Sequence, residues 1–434
     1  MTTDLQTPGQ ILFAKLGINL DEVPIEQLSD YTAVEYYLTV EDEPPPDAAN
    51  IEKVRGYLEV FHHLCEVEDW KNAGTILLIR LNTPTNQLLH DQLDTWGYYK
   101  EQASLYERLI NKSDSILTAI CLNGIAMSYH AQAEYTKAFD YLKQALQIRF
   151  SILDVQGVAM TMGHIGLVYD SLGHIDSAIQ CHELQLTTSR NIKDREGEKM
   201  ALGNLGNSYM SVNWSKALEY QQKHLTLAKE LGDRRGEGNA LGSLGTIYNA
   251  FWDKTTAIKY HQKRLAIAKY LEDRSGELEA LNNLGLACEG LDQYAESIEY
   301  CQQALPIAQQ LSDRRSEGKI LANLGNAYRG LGEYTKAVDS FLDCLNIKRE
   351  FPDNYGEGIA LKNLGITYYC QGEYVKSIES YQSSFRILDK NKAIEECEKI
   401  IIYLGMAYCA LGDYNKAIDY NQQHLNIVKS RKNS

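Results

Sequence analysis

The chain has 434 residues and a formal net charge of −15, from 43 Lys and Arg against 58 Asp and Glu. An acidic chain gains little from phosphate backbones, so this balance argues against nucleic acid as a main partner. No stretch reaches the roughly 18 consecutive apolar residues of a membrane span, and the first residues lack the basic cluster of a secretory leader. The nine cysteines are scattered without a CxxC motif, which predicts reduced, packed thiols in a cytoplasmic protein.

Residues 1–48 do not share the pattern of the rest of the chain. Residues 11–16 and 25–38 read as two short helices, and the prolines at 44–46 prevent the second from continuing. We interpret residues 1–48 as an N-terminal arm or small cap.

Residues 49–112 contain two copies of a degenerate helical-hairpin pattern. The segment 69–73 resembles the start of the second helix in later units, and residues 97–103 repeat that start. Atypical units beside regular ones are typical of the capping end of a repeat array. We therefore predict two degenerate hairpins here.

Residues 113–434 repeat one pattern eight times. A small residue recurs at steps of 40, with one step of 39, at Ala126, Gly166, Gly206, Gly245, Gly285, Gly325, Gly365 and Gly405. A tyrosine follows three residues later in seven of the eight units, and a small residue and a large apolar one recur in phase further on. Such periodicity predicts stacked units that each contact only their neighbours.

The unit at residues 316–355 shows why the pattern predicts a hairpin. Residues 317–329 and 334–347 each have apolar residues at helical spacing, and the glycines at 330 and 332 suit a tight turn between them. Gly325 and Ala337 are small, so the two helices can approach closely. One hairpin cannot bury its apolar face alone, whereas stacked hairpins can.

Leu-Gly-x-x-Tyr in the first helix and Ala in the second resemble the tetratricopeptide repeat (TPR) over residues 113–434. The resemblance implies an all-α, right-handed superhelix of about eight regular hairpins plus the two degenerate ones. The 40-residue period and joints such as residues 231–238 resemble the subtype of Pins/LGN scaffolds and bacterial signalling proteins. At that joint Gly232 is predicted to end one helix and Asp233 to cap the next.

One irregular turn and the final helix remain to be described. Phe251 and Trp252 replace a Leu-Gly turn; they form either an exposed contact site or, as we prefer, filling for the space left by the altered turn. Residues 414–428 form a second helix, followed by a basic tail. Either this flank is already polar enough, or it pairs end to end in a homodimer.

Nothing in the sequence indicates catalysis. Residues 236–242 have the wrong spacing for a dinucleotide loop, and no strand precedes them. The histidines form no HExxH motif and do not cluster with cysteine at ligand spacing. We predict a non-enzymatic protein that uses no cofactor and no metal.

The resemblance places ligand-binding residues on the first helix of each unit, where the family binds peptides in its concave groove. Two positions before the recurring glycine, and one or four after it, it assigns a peptide-clamp role to Asn204, Asn207, Ser243, Asn283, Asn323, Asn326, Arg329, Asn363 and Tyr369. Tyr403 joins them as an apolar anchor. The alternative is that the asparagines satisfy backbone groups between neighbouring repeats.

These residues predict a scaffold or adaptor that holds a peptide segment or helix of a partner protein. The alternative function is a regulatory sensor whose superhelix changes shape on binding and so controls a signalling protein. The arginine that Pins/LGN proteins often carry six residues before the glycine is absent, since the chain has Met200, Asn239, Glu279, Lys319, Ile359 and Lys399 there. The ligand is therefore not specified by the resemblance.

Overall fold

The computed structural model describes residues 7–40, 45, 48–351 and 353–432. Within these residues it has 22 α-helices, two short 3-10 helices and one isolated antiparallel β-bridge between Arg80 and Leu88. The predicted all-α fold of consecutive helical hairpins is confirmed. The chain forms two compact units, Met1–Ile247 with Ala266–Ser275 (unit 1) and Tyr248–Leu265 with Gly276–Ser434 (unit 2).

The N-terminal segment contains the two helices that the sequence predicted. Helix α1 (Pro8–Leu16) begins with a reciprocal cap, in which Thr7 Oγ1 accepts from Gln10 N at 3.2 Å and Gln10 Oε1 accepts from Thr7 N at 2.9 Å. Helix α2 (Ile25–Thr39) follows and packs on α3. The predicted proline break falls mostly outside the described residues.

Four helices of unequal length follow. They are α3 (Arg55–Glu66), α4 (Trp70–Leu77), α5 (Leu89–Thr95) and α6 (Tyr99–Leu109). Phe61, Leu77 and Leu93 lie fully buried in a core that this region shares with α7. Packing in this shared core buries the apolar faces of these helices, which such short helices could not bury alone.

The remaining sixteen helices, of 15 to 19 residues each, are the eight regular helix pairs. In unit 1 they are α7 (Ser115–Ala131), α8 (Tyr135–Ser151), α9 (Val155–Ser171), α10 (Ile175–Asn191), α11 (Arg195–Tyr209) and α12 (Trp214–Leu231). Helices α13 (Arg234–Ala250) and α14 (Lys254–Tyr270) come next. The others are α15 (Arg274–Glu289), α16 (Tyr294–Gln310), α17 (Arg314–Gly330), α18 (Tyr334–Glu350), α19 (Asn354–Cys370), α20 (Tyr374–Lys390), α21 (Ile394–Leu411) and α22 (Tyr414–Lys432).

The recurring glycine lets the two helices of a pair approach closely. A Cβ at Gly325 would lie 2.7 Å from the Phe341 ring, and one at Gly365 would lie 2.5 Å from the Tyr381 ring. Both distances are far below van der Waals contact, so a side chain at either position would force the helices apart. The small residue Ala337 is also fully buried, as the close approach requires.

The joints between pairs follow the predicted capping. Gly232 ends α12 with a left-handed φ of 70°, and the Asp233 carboxylate accepts from Gly236 N at 2.9 Å. Asp194 and Asp313 cap their helices in the same way, at 3.0 Å each. A carboxylate at this place satisfies an otherwise unpaired N–H at the helix start.

Two expectations need correction. Trp252 is 84% exposed and its backbone has a φ of 63°, so this ring does not fill space at the altered turn. It lies instead beside Lys254, whose Nζ is 5.3 Å from the ring centroid. The prediction of a separate basic tail after residue 428 is wrong as well, because α22 continues through Lys432 and carries those residues on its last turn.

Candidate partner-binding surface

The first helices of successive pairs contact one another and form one face of each unit. In unit 1, α7 contacts α9 and α9 contacts α11, and in unit 2, α17 contacts α19 and α19 contacts α21. We call this layer the first-helix face of that unit. All ten predicted site residues lie on first helices (α11, α13, α15, α17, α19 and α21), and none of them is buried.

In unit 1 two predicted residues are bonded to each other across neighbouring repeats. Ser243 Oγ donates to Asn207 Oδ1 at 3.0 Å, and Gln221 Nε2 donates to the same oxygen at 2.8 Å. Asn207 therefore links neighbouring repeats through side-chain hydrogen bonds, and not through the backbone groups that the alternative interpretation named.

In unit 2 a similar link joins Asn323 to the preceding repeat. Its Nδ2 donates to Asn282 Oδ1 at 3.0 Å. Asn282 was not among the predicted site residues, although the Asn-Asn pair at 282–283 was a signal that could have found it. The neighbouring Asn326 accepts from Arg329 Nη2 at 3.0 Å, so these two predicted residues also lie together.

Asn204, Asn283 and Asn363 behave differently from Asn207 and Asn323. Their side chains form no hydrogen bond within the described residues, and each is only partly buried. An amide that is left without a partner on a half-buried helix face can offer both a donor and an acceptor to a bound backbone. These three residues are the best candidates among the predicted asparagines.

Arg329 lies in a partly aromatic environment without a carboxylate within ion-pair distance among the described residues. Its guanidinium lies 5.6 Å from the Phe341 ring centroid, and its Nη1 has no hydrogen-bond partner. Burial lowers the pKa of this guanidinium, although it remains charged. Nearby, Tyr403 stacks on Tyr381 at 5.5 Å and Tyr369 contacts Tyr374 at 5.5 Å between ring centroids.

Repeat models described as tetratricopeptide repeat match residues 118–151, 201–235, 276–350, 319–390 and 403–433. The chain contains tetratricopeptide repeats. No curated protein has a significant sequence match to it. The resemblance to the Pins/LGN subtype stays a prediction, because none of these matches distinguishes that subtype.

Solved structures share the fold at low sequence identity. A signal transduction ATPase with numerous domains (STAND) that has a TPR sensor, from Pyrococcus horikoshii, is 16% identical with a TM-score of 0.59. The match covers 87% of this chain and 55% of that protein, so the chain spans about half its length. A Rap protein solved with Competence and Sporulation Factor is 14% identical with a TM-score of 0.53, covering 87% and 98%. Aspartyl phosphate phosphatase F from Bacillus subtilis is 13% identical with a TM-score of 0.51, covering 88% and 95%.

Metal-binding and membrane-spanning features do not occur in the described part of the chain. It contains no cluster of three or more His, Cys, Asp or Glu side chains suited to a metal ion. None of its helices combines the length and apolar character needed to cross a bilayer. All nine cysteines are free thiols, seven of them buried, with Cys370 and Cys409 exposed.

Proposed function

We propose that this chain is a non-enzymatic interaction module that binds an extended segment or helix of a partner protein on its first-helix face. The observation that carries the proposal is that two partly exposed asparagines of unit 2, Asn283 and Asn363, form no hydrogen bond within the described residues, and Asn204 is their counterpart in unit 1. Asparagine is a poor helix former, so its recurrence in these helices indicates a hydrogen-bonding role. Hydrogen bonds within the described residues do not account for that role at these positions. The Rap protein solved with Competence and Sporulation Factor shares this fold, which is in keeping with the proposal.

Apolar anchors must supply most of the affinity. The two neutral hydrogen bonds of Asn283 and Asn363 together contribute about 1–3 kcal/mol, whereas micromolar binding needs about 8 kcal/mol. Tyr369 and Tyr403 lie on the same face, and Met406, which is exposed, follows Tyr403 by three residues on α21. Their burial by a ligand would provide the remainder.

The test is retention of a partner from the native cell extract, followed by affinity measurement with the purified pair. We expect Asn283→Ala with Asn363→Ala to weaken binding at least tenfold while leaving the melting temperature unchanged. The matched control is Asn346→Ala, an exposed asparagine on the second helix α18. Equal affinity of the double variant and the control would assign the asparagines to structure and overturn the proposal.

A regulatory sensor is the second candidate. It is favoured by contacts within unit 1 that join distant parts of the chain, such as Arg235 Nη2 to Asp94 Oδ2 at 3.2 Å. Such partly exposed ion pairs contribute about 0–1 kcal/mol, so a ligand can break them at small cost. A change of the radius of gyration on partner binding, measured by small-angle scattering, would support this candidate, and an unchanged radius would exclude it.

A further inference from the structure

A cavity of about 580 Å³ lies in unit 1, apart from the residues of the proposed function. Its walls come from α5, α6 and α8 and from the first helices α7, α9 and α11, and none of the ten predicted site residues lines it. Small-molecule sites typically measure about 300–1,000 Å³, so the space suits a small ligand or a single large side chain.

One side of the cavity is apolar and adaptable. Met127, Met160 and Met200 come from three successive first helices and line the same space, together with Ile120. Met160 and Met200 stay partly exposed within it. Thioether side chains are flexible and polarisable, and they make favourable contacts with aromatic groups.

Polar atoms without partners lie in the walls of the same cavity. His90 Nε2, Arg149 Nε and His164 Nδ1 are buried and have no hydrogen-bond partner in the described part of the chain. His90 and Arg149 are each more than nine-tenths buried. An unsatisfied buried polar group costs about 1–3 kcal/mol. The His90 and His164 nitrogens can accept from an N–H of a ligand in the tautomer that leaves them unprotonated, whereas Arg149 Nε can only donate.

The charges around the cavity leave one carboxylate without a cation at ion-pair distance in the described part of the chain. Asp94 pairs with Arg235 at 3.2 Å, and Arg149 pairs with Asp154 at 2.8 Å, so these charges cancel. The Asp91 carboxylate instead contacts His90, with Oδ1 3.2 Å from Nδ1. Burial lowers the pKa of His90, which therefore stays neutral near pH 7 and does not compensate the charge.

Asp91 is accessible to a ligand even though protein surrounds it. Its side chain is 48% exposed, yet burial among protein atoms raises its pKa. The exposed fraction shows that a cation can reach the carboxylate from the open side of the cavity, and a bound cation would oppose the effect of burial by stabilising the charged form. Charge-assisted hydrogen bonds in such surroundings are stronger than neutral ones.

We infer that this cavity binds a positively charged group attached to an apolar, preferably aromatic, body. An ammonium or guanidinium group pairs with Asp91, while the apolar body packs against Met127, Met160 and Met200. The charge complements the uncompensated carboxylate. This site does not depend on the asparagine face, and the two proposals can fail separately.

The test uses the protein with ¹³C-labelled methionine methyl groups and three probes of nearly equal shape. Phenethylammonium is a cation, phenethyl alcohol is neutral and 3-phenylpropionate is an anion at pH 7.5. The chain has seven methionines, and we expect phenethylammonium to shift the resonances of Met127, Met160 and Met200 and to bind at least tenfold more tightly than either other probe. Equal affinities, or shifts elsewhere only, would overturn the inference.

Two variants separate the charge from the apolar wall. Asp91→Asn should weaken phenethylammonium at least tenfold, a loss equivalent to about 1.4 kcal/mol, and leave phenethyl alcohol unchanged. Asp140→Asn, which alters an exposed carboxylate on α8, is the matched control and should change neither. Met160→Ala should weaken all aromatic probes without changing the preference for the cation. Retained cation preference in a folded Asp91→Asn variant would contradict the assignment.

Two capped peptides then identify the source of the cation. Phe-Ala-Ala-amide carries a free N-terminal ammonium, whereas acetyl-Ala-Phe-Arg-Ala-amide carries only a guanidinium. Binding of either peptide with loss in Asp91→Asn supports the inference and names the group, and binding of neither would overturn it. Asn283→Ala with Asn363→Ala should leave both affinities unchanged, which distinguishes this site from the first-helix face.

Discussion

The regular repeats of units 1 and 2 fill the same place in the hairpin with different chemistry. In three repeats of unit 2 the residue of the second helix that faces the recurring glycine is Cys301, Phe341 or Tyr381, and in the last repeat it is Asn421, which is exposed. In unit 1 it is His182 or Gln221. Apart from Asn421, these side chains are almost fully buried, so one backbone geometry accepts either a polar or a less polar side chain at this place.

The polar filling of unit 1 requires partners that the apolar filling of unit 2 does not. His182 Nε2 lies 3.2 Å from Asp170 Oδ2, which also accepts from Ser208 Oγ at 2.7 Å in the next repeat. Gln221 Nε2 donates to Gly203 O at 3.0 Å. Buried polar groups are tolerated when bonded, and here their bonds also connect neighbouring helices. The comparison suggests that unit 1 depends on polar networks and unit 2 on apolar packing.

The largest expected effect comes from removing the apolar filling. Phe341→Ala should lower the free energy of unfolding of unit 2 by about 3–5 kcal/mol, because it leaves a cavity against Gly325 in a fully buried core. His182→Ala in unit 1 should cost less, about 1–3 kcal/mol, because Asp170 keeps its bond to Ser208. Urea denaturation of both variants checks the order, and an equal or larger loss for His182→Ala would break the comparison.

The second prediction concerns the loss of stability of unit 1 at low pH. Burial lowers the pKa of four histidines of unit 1, which are His90, His130, His164 and His224. The pKa values of His164 and His224 fall to about 4. Among the described residues of unit 2, burial lowers the pKa of one histidine only, His261. Between pH 6.5 and about 4 the unfolded chain binds more protons than the folded chain. The free energy of unfolding that these histidines influence is therefore highest above pH 6.5 and decreases as the pH falls. For His224, which is almost fully buried, the loss at pH 4 is about 3 kcal/mol.

Tryptophan fluorescence can separate the two units. Trp70, Trp96 and Trp214 lie in unit 1, and the fourth tryptophan, Trp252, is already exposed in unit 2. On lowering the pH, the fluorescence transition should precede the loss of helix seen by circular dichroism. His224→Gln should move the fluorescence transition to lower pH, and coincident transitions in the parent protein would contradict the prediction.

The sequence predicted the hairpins well because their period is local. Residues 334–347 were predicted as a helix, and α18 spans Tyr334–Glu350. The glycine and the joint caps were equally readable, since their conformations depend on neighbouring residues. The side chain that packs against the glycine could not be predicted, because it lies fifteen or sixteen residues further along the chain and its residue type changes between repeats.

The sites were less predictable than the fold. The recurrence of asparagine along the sequence does not show whether Asn323 forms a hydrogen bond with Asn282 or with a ligand, because that depends on packing between repeats. The cavity was not foreseen either, since Asp91, Arg149 and Met200 are far apart in sequence and only the tertiary fold places them together. Trp252 shows the same limit in a turn, where burial could not be inferred from residue type.

The smallest expected effect concerns contacts that join the beginning of unit 1 to its end. Lys53 Nζ lies 2.9 Å from Glu272 Oε2, across 219 residues, whereas the Arg314–Glu350 ion pair of unit 2 joins α17 to α18 within one helix pair. Both partners of the first pair are partly exposed, so Glu272→Lys should cost unit 1 only about 0.5–1 kcal/mol, measured by urea denaturation with tryptophan fluorescence. Adding Lys53→Glu should restore that stability. The effect should vanish near 1 M salt, where the Debye length is about 3 Å.

The matched control is Glu350→Lys, which should leave the fluorescence transition of unit 1 unchanged because both residues of that pair belong to unit 2. A double-mutant cycle of Lys53 and Glu272 isolates the coupling energy between them from other effects of each substitution. A coupling of zero at low salt would mean that the pair does not hold the two ends of unit 1 together. A coupling that falls with salt would instead identify a weak contact that a ligand of unit 1 can open, which is what the sensor function requires.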